Sequence, residues 1–203
     1  PRDLTIAEFL GLAPDPPPAR SVQNAVEALV GIGALDRDEN ITALGEVLVR
    51  LPVEPRVGRA LALASFFRCV APVLTLGVAS GYRDVFTLPT APGDKARANE
   101  AKRRLANMGY ALLGESDHVL LLNTMREYRG AKDRGQERAF CGMNFVSPNV
   151  VATLLDMRRQ VASQVGEVIP GLLAVRGSPP DAPVNNVLAE DPAVLQALAC
   201  ALT

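Results

Sequence analysis

Ser116, Asp117 and His118 stand consecutively, and their side chains are those of a nucleophile, an acid and a base. His118 is the single histidine of the chain, so any Ser–His–Asp relay would have to run through it. Neighbouring helical positions point about 100° apart around the axis, so the trio fans out and does not converge. The same string reads better as a helix start, with Ser116 as cap, Asp117 near the positive end of the helix dipole and His118 as a partly packed polar residue. Cys69, Cys141 and Cys200 are odd in number and far apart, which fits buried thiols in a reducing compartment and neither a disulfide framework nor a zinc site. The chain has no G-x-x-x-x-G-K-[ST] phosphate loop and no Asp-Glu-Ala-His string. An independent enzyme is therefore not expected.

The elements that position these residues follow from composition and period. The 203 residues are 48% apolar, enough for one large domain or two small ones with real cores. The formal charge of -1 argues against a free-standing nucleic-acid binder. No apolar run is long enough to span a membrane, and Pro1-Arg2-Asp3 does not begin a signal peptide. A start without Met suggests a segment of a longer protein.

After the extended Pro14–Pro18 run, Ser21 is expected to cap a helix with Val22, Ala25, Val26, Leu29 and Ile32 on one stripe, closed by Gly31 and Gly33. Ala34–Thr42 reads as a small β-hairpin or a plain loop, and Thr42 caps the next helix, which ends at Pro52 and Pro55. Pro55–Cys69 reads as a buried helix, and Pro72 opens another running to Ser80. A loop over 81–93 follows, then amphipathic helices over Asp94–Met108 and Ser116–Arg129. Ser147-Pro148 starts a helix burying Val150, Leu154, Met157, Val161, Val165 and Val168; Gly177–Pro183 is turn-rich, and Asp191-Pro192 starts a last helix through Leu202. The pattern predicts a mainly α fold, with a small winged-helix-like unit over 1–54 and an all-helical bundle over 55–203. The candidate recognition helix of the first unit, Thr42–Leu51, has one basic residue, Arg50, and carries Glu46, which suits protein packing better than a DNA groove.

Several strings then occur in a meaningful order. They are Gly33-Ala34-Leu35-Asp36, Ile41-Thr42-Ala43-Leu44-Gly45, Leu51-Pro52-Val53-Glu54-Pro55-Arg56 and Ala71-Pro72-Val73-Leu74-Thr75-Leu76. Tyr82-Arg83-Asp84-Val85-Phe86, Ser116–Asn123, Phe140-Cys141, Asn144–Ser147 and Arg158-Arg159-Gln160 continue the series. In this order they resemble the C-terminal winged-helix and helicase-associated (ratchet) region of DEAH-box and RNA-helicase-A-like RNA helicases. Pro52-Val53-Glu54-Pro55 fits the RNA-helicase-A-like branch better than the splicing branch. Residues 170–190 do not match clearly, and 191–203 resembles the helix that precedes the family's OB-fold.

The resemblance implies an accessory module of an ATP-dependent helicase that forms part of a single-stranded RNA channel and couples motor movement to translocation. ATP and Mg would belong to the parent protein, with no cofactor in this segment. Partners would be RNA, the RecA-like and OB-fold domains of the same protein and possible protein cofactors; localisation would be intracellular, the compartment open. It makes Ser116, His118, Asn144, Ser147, Arg158, Arg159 and Gln160 candidate RNA contacts, because guanidinium forks suit phosphate while amides and hydroxyls reach phosphate and 2′-OH. The same residues also admit bland roles: capping for Ser147, interdomain ion pairs for the arginines. Pro52 and Pro55 become the candidate hinge. Lys102-Arg103-Arg104 is a solvated helix face or an RNA-facing patch. Residues 1–53 hold four basic and eight acidic side chains, and residues 91–140 hold ten and seven, which leans RNA toward the bundle. The rival reading is a helical protein-interaction scaffold.

Overall fold

The computed structural model describes residues 4–91, 93–109, 116–168 and 179–200. Two compact units divide the chain, Pro1–Arg59 and Ala60–Thr203.

In the first unit, Thr5 and Glu8 close a capping box on the short α1 (Ile6–Leu10), each taking the other's backbone N–H. α2 (Ala19–Gly31) starts as soon as the chain leaves the proline run, with Pro18 as its N-cap. Ser21 is therefore inside the helix and not its cap: its N–H already bonds the Pro18 carbonyl at 2.9 Å. The exit is a left-handed turn at Gly33 (φ 77°), where the amides of Gly33 and Ala34 bond the carbonyls of Val30 and Leu29. The expected hairpin is reduced to one antiparallel bridge, Leu35↔Ile41. Asp36 Oδ1 holds its turn by accepting the N–H of Asp38 and of Asn40, both at 2.9 Å. Thr42 caps α3 (Ala43–Leu48), accepting from Gly45 N at 3.0 Å while donating to the Gly33 carbonyl at 2.6 Å. Gly45 packs so closely under this turn that a Cβ there would lie 2.2 Å from the Ala34 carbonyl oxygen.

α4 (Pro55–Phe66) crosses from the first unit into the second, the division falling between Arg59 and Ala60. In the second unit Ala60, Leu61 and Ala64 are buried, followed by α5 (Val70–Ser80), whose residues 72–78 are buried on every side. A helix apolar all round belongs at the centre of a bundle, and burial of each Val or Leu there contributes about 1.5–3 kcal/mol. Five more helices follow among the described residues: α6 (Asp94–Ala106), α7 (Asp117–Asp133), α8 (Glu137–Asn144), α9 (Pro148–Val168) and the short α10 (Pro192–Cys200). α5 packs on α7, α9 and α10, while α6, α7 and α8 pack on one another and α8 on α9. Buried Asn123 of α7 ties down the end of α6 by donating to the carbonyls of Leu105, Ala106 and Met108. Met108 lies beyond the end of α6, and α7 runs four residues past Arg129.

The buried stripe of α9 is Val151, Leu154, Arg158, Val161 and Val165; Val150 and Met157, expected inside, are only half-buried. The side chain of Val168, Leu202 and Gly177-Ser178 lie outside the described residues. No helix of the described residues is long and apolar enough to cross a membrane.

Candidate nucleic-acid interface

Two regions of the second unit hold the candidate residues. The first is built around the start of α7. Ser116 caps that helix, its Oγ accepting the N–H of His118 at 3.3 Å, so the hydroxyl is directed at backbone. His118 is half-buried and lines a hollow of about 400 Å³ with the end of α5, the Tyr82–Phe86 loop and Lys102 of α6. The loop is held by pairing. Phe86 bridges Val146, Ser147 N–H donates to the Val85 carbonyl at 2.8 Å, and Thr87 N–H donates to the Phe145 carbonyl at 2.8 Å. Lys102 places its ammonium 4.5 Å from the Phe86 ring centre, a cation–π contact, and 4.0 Å from Asp84 Oδ2. The Asp84 carboxylate is exposed and the Lys102 side chain half-buried, and at 4.0 Å the ion pair is worth little. A second hollow of about 480 Å³ shares Lys102, Asp117 and Leu120 with the first and adds Asn99, Arg103, Asn107 and Ser116.

Asn144 and Ser147 adjoin this region but turn inward. Asn144 is 4% exposed; its amide donates to the Phe140 carbonyl at 2.8 Å and its oxygen accepts from Arg104 at 2.8 Å. Ser147 serves α9 as a cap, accepting from Val150 N at 3.4 Å. Arg104, from the expected basic face of α6, thus anchors the α8 end, while Lys102 and Arg103 line the hollows.

The second region lies along α9. Arg158 is 4% exposed. Its Nε donates to Thr75 Oγ1 at 2.9 Å, Nη2 to the Ala71 carbonyl at 3.3 Å, and both terminal nitrogens to the Asp181 carboxylate. A buried guanidinium is tolerable only with such complete pairing. The hydrogen bonds from Arg158 hold the Asp181 carboxyl below its usual range, against the opposing effect of burial. Arg158 thus fastens the 179–186 segment to α5 and α9. Arg159 is exposed and pairs with Asp156, and Gln160 is exposed. Arg159 shares a groove of about 490 Å³ with Arg129 and Lys132 of α7. Ser147 and Arg158 are eleven residues apart on one helix, roughly 16 Å, so the candidates form two patches along the bundle.

Asn123 and Asn186 have roles that no local pattern in the sequence signals. Asn123 is the buried clamp on the end of α6. Asn186 accepts the Ala71 N–H at 2.7 Å and donates to the carbonyls of Pro180 and Ala182, completing the fastening made by Arg158. Cys69 and Cys141 are buried and free; burial pushes the Cys69 thiol up to about 12 and raises Cys141 too.

Residues 25–53 match the family described as helicase associated domain (HA2), winged-helix, and residues 54–121 match helicase associated domain (HA2), ratchet-like. The DExH-box ATP-dependent RNA helicase DExH1 of Arabidopsis thaliana is 41% identical over 164 residues, covering 81% of this chain and 16% of that protein. DExH2 of the same plant is 35% identical over 198 residues, 97% of this chain and 12% of that protein. Human ATP-dependent DNA/RNA helicase DHX36 is 31% identical over 198 residues, 97% of this chain and 19% of that protein. The chain spans less than a fifth of the length of these curated relatives.

Proposed function

This chain belongs to the winged-helix and ratchet-like helicase-associated region of DEAH/DExH-box RNA helicases, and from that we propose that it forms part of the wall of a single-stranded RNA channel. Its own contribution would be passive: hold the strand's phosphates and riboses on a rigid bundle while a motor elsewhere in the same protein moves against it. ATP and Mg would act on RecA-like motor domains, whose movement would reach the bundle through the stretch around Pro52 and Pro55. An OB-fold and protein cofactors complete the proposed partners.

The observation that carries this reading is the neighbouring pair of hollows at the start of α7, which share Lys102, Asp117 and Leu120 and are bordered also by Arg103, Ser116 and His118. Cationic, amide and hydroxyl groups lining two neighbouring hollows, with the carboxylates of Asp84 and Asp117 among them, suit a sugar–phosphate strand held at its cationic side. The exposed members of the α9 patch, Arg159 and Gln160, extend the same chemistry; Arg158, Asn144 and Ser147 support it from inside. A scaffold role has an observation of its own, because Phe66, Phe67, Val187 and Leu188 are exposed and the Leu188 N–H bonds the Arg68 carbonyl at 3.1 Å, bringing the two apolar segments together.

Titration of a fluorescent single-stranded RNA with this chain at low and moderate salt separates the two. The RNA reading expects affinity that falls as salt rises, with a slope of about -0.7 per phosphate neutralised. It also expects weaker binding for Lys102→Ala with Arg159→Ala. No binding at low salt overturns it and favours the scaffold.

A further inference from the structure

Phosphate contact alone does not account for the hollow beside His118. Its lining includes the aliphatic side chains of Leu76, Val85 and Leu121 and the flat rings of Tyr82, Phe86 and His118. Phe86 is fixed by its bridge to Val146 and by Lys102 over its ring, so this part of the wall is built before any ligand arrives. A volume of about 400 Å³ lies within the range of small-molecule sites. That hollow also carries Arg83, Asp84 and Lys102, and what sets the adjoining one apart is the absence of an aromatic ring among its described residues: Asn99, Arg103, Asn107 and Ser116 offer it amide, guanidinium and hydroxyl groups. Lys102 and Asp117 belong to both.

Resting on the reading of this chain as an RNA-contacting module, we propose that the two neighbouring hollows, which meet at Lys102, Asp117 and Leu120, form a subsite for one unstacked nucleotide. Its base enters the ring-lined hollow, and its ribose and phosphate lie against Lys102 and Arg103. The division matches a nucleotide's two halves. A heterocycle stacks on aromatic faces whatever its sequence, and a single strand can splay such a base out. An apolar peptide side chain could fill the first hollow but brings no anion for the second.

Because His118 is the chain's one histidine, its ring-proton NMR signals report on this hollow alone. Titrating the 203-residue chain with adenosine 5′-monophosphate is expected to move them upfield through the ring current of a stacked base. Ribose 5-phosphate, which has the phosphate without the base, is expected to leave them nearly unmoved. Tyr82→Ala, at an exposed loop position, should weaken the nucleotide response about five- to tenfold. The proposal is overturned by silence toward the nucleotide, by an equal response to ribose 5-phosphate, by an unchanged response in Tyr82→Ala, or by movement with an apolar peptide alone. If a single-stranded RNA still binds in any of those cases, RNA contact stands without the base pocket. If no RNA binds at low salt, both readings fall.

Discussion

Arg158 shows how one side chain can belong to a recognisable motif and yet face the core. Its spacing from Val151, Leu154, Val161 and Val165 is that of a single helical stripe, which the sequence displays openly. The preference of arginine for water obscures the pattern, since a charged residue is almost never fully buried unless paired. The partner that permits burial, Asp181, lies 23 residues away in a turn without helical periodicity, so no local signal announces it. Arg158→Ala should destabilise the bundle by about 2–4 kcal/mol, because Thr75, the Ala71 carbonyl and Asp181 are left without their donor. Arg158→Lys should recover only part of that, lacking the two-pronged fork. The pH dependence follows from the depressed Asp181 carboxyl. A carboxyl with a lowered folded-state pKa contributes fully above its unfolded value of about 3.9 and loses that contribution as pH falls through the folded-state value. Chemical denaturation of wild type and Arg158→Ala at neutral pH and in acid should therefore show the gap narrowing in acid. A gap independent of pH would mean that the Asp181 pair adds nothing.

Among the elements, α3 and α7 are legible from their side-chain caps and α6 is legible from its amphipathic period without one, whereas α8 is not legible. Thr42 and Ser116 each begin a helix where the sequence places one, because a hydroxyl that can accept an amide is a local signal. α8 has no such marker: Gln136 makes no side-chain cap bond, Gly142, a poor helix former, lies inside the helix, and the exit is Phe145 in the left-handed region (φ 55°) in place of glycine. Its position is set by packing on α6, α7 and α9, which is tertiary information. The hairpin of the first unit was legible as a turn, although the flanking segments pair at a single bridge only. Gly45 and Gly142 make a paired test of how tightly these elements are held. At Gly45 a methyl group would meet backbone at 2.2 Å, whereas at Gly142 nothing lies within 4 Å. Gly45→Ala should cost about 3 kcal/mol, and Gly142→Ala should stabilise by about 0.5–1 kcal/mol. Thermal melts of the two variants should shift in opposite directions; equal shifts would show that α3 can move away from Ala34.

At the scale of the whole molecule, charge is divided where cores are divided. The formal charge of -1 conceals an acidic N-terminal stretch, with eight acidic against four basic side chains over 1–53, and a basic stretch over 91–140. A strand of phosphates responds to the local field and not to the sum, so near-neutral composition does not oppose RNA binding by one unit alone. Arg103, beside the second hollow, and Arg159 on α9 are exposed in the second unit; Arg37 and Arg50 are exposed in the first. Removing the second-unit pair together should flatten the dependence of RNA affinity on salt by about 0.7 for each phosphate that is no longer neutralised. Removing Arg37 and Arg50 together changes the chain's net charge by the same amount and should leave that slope unaltered. If both double variants flatten the slope equally, the strand is held by diffuse charge and has no preferred face. If only the first-unit pair does, the winged-helix unit is the RNA-bearing part, and the hollows at the start of α7 serve some other ligand.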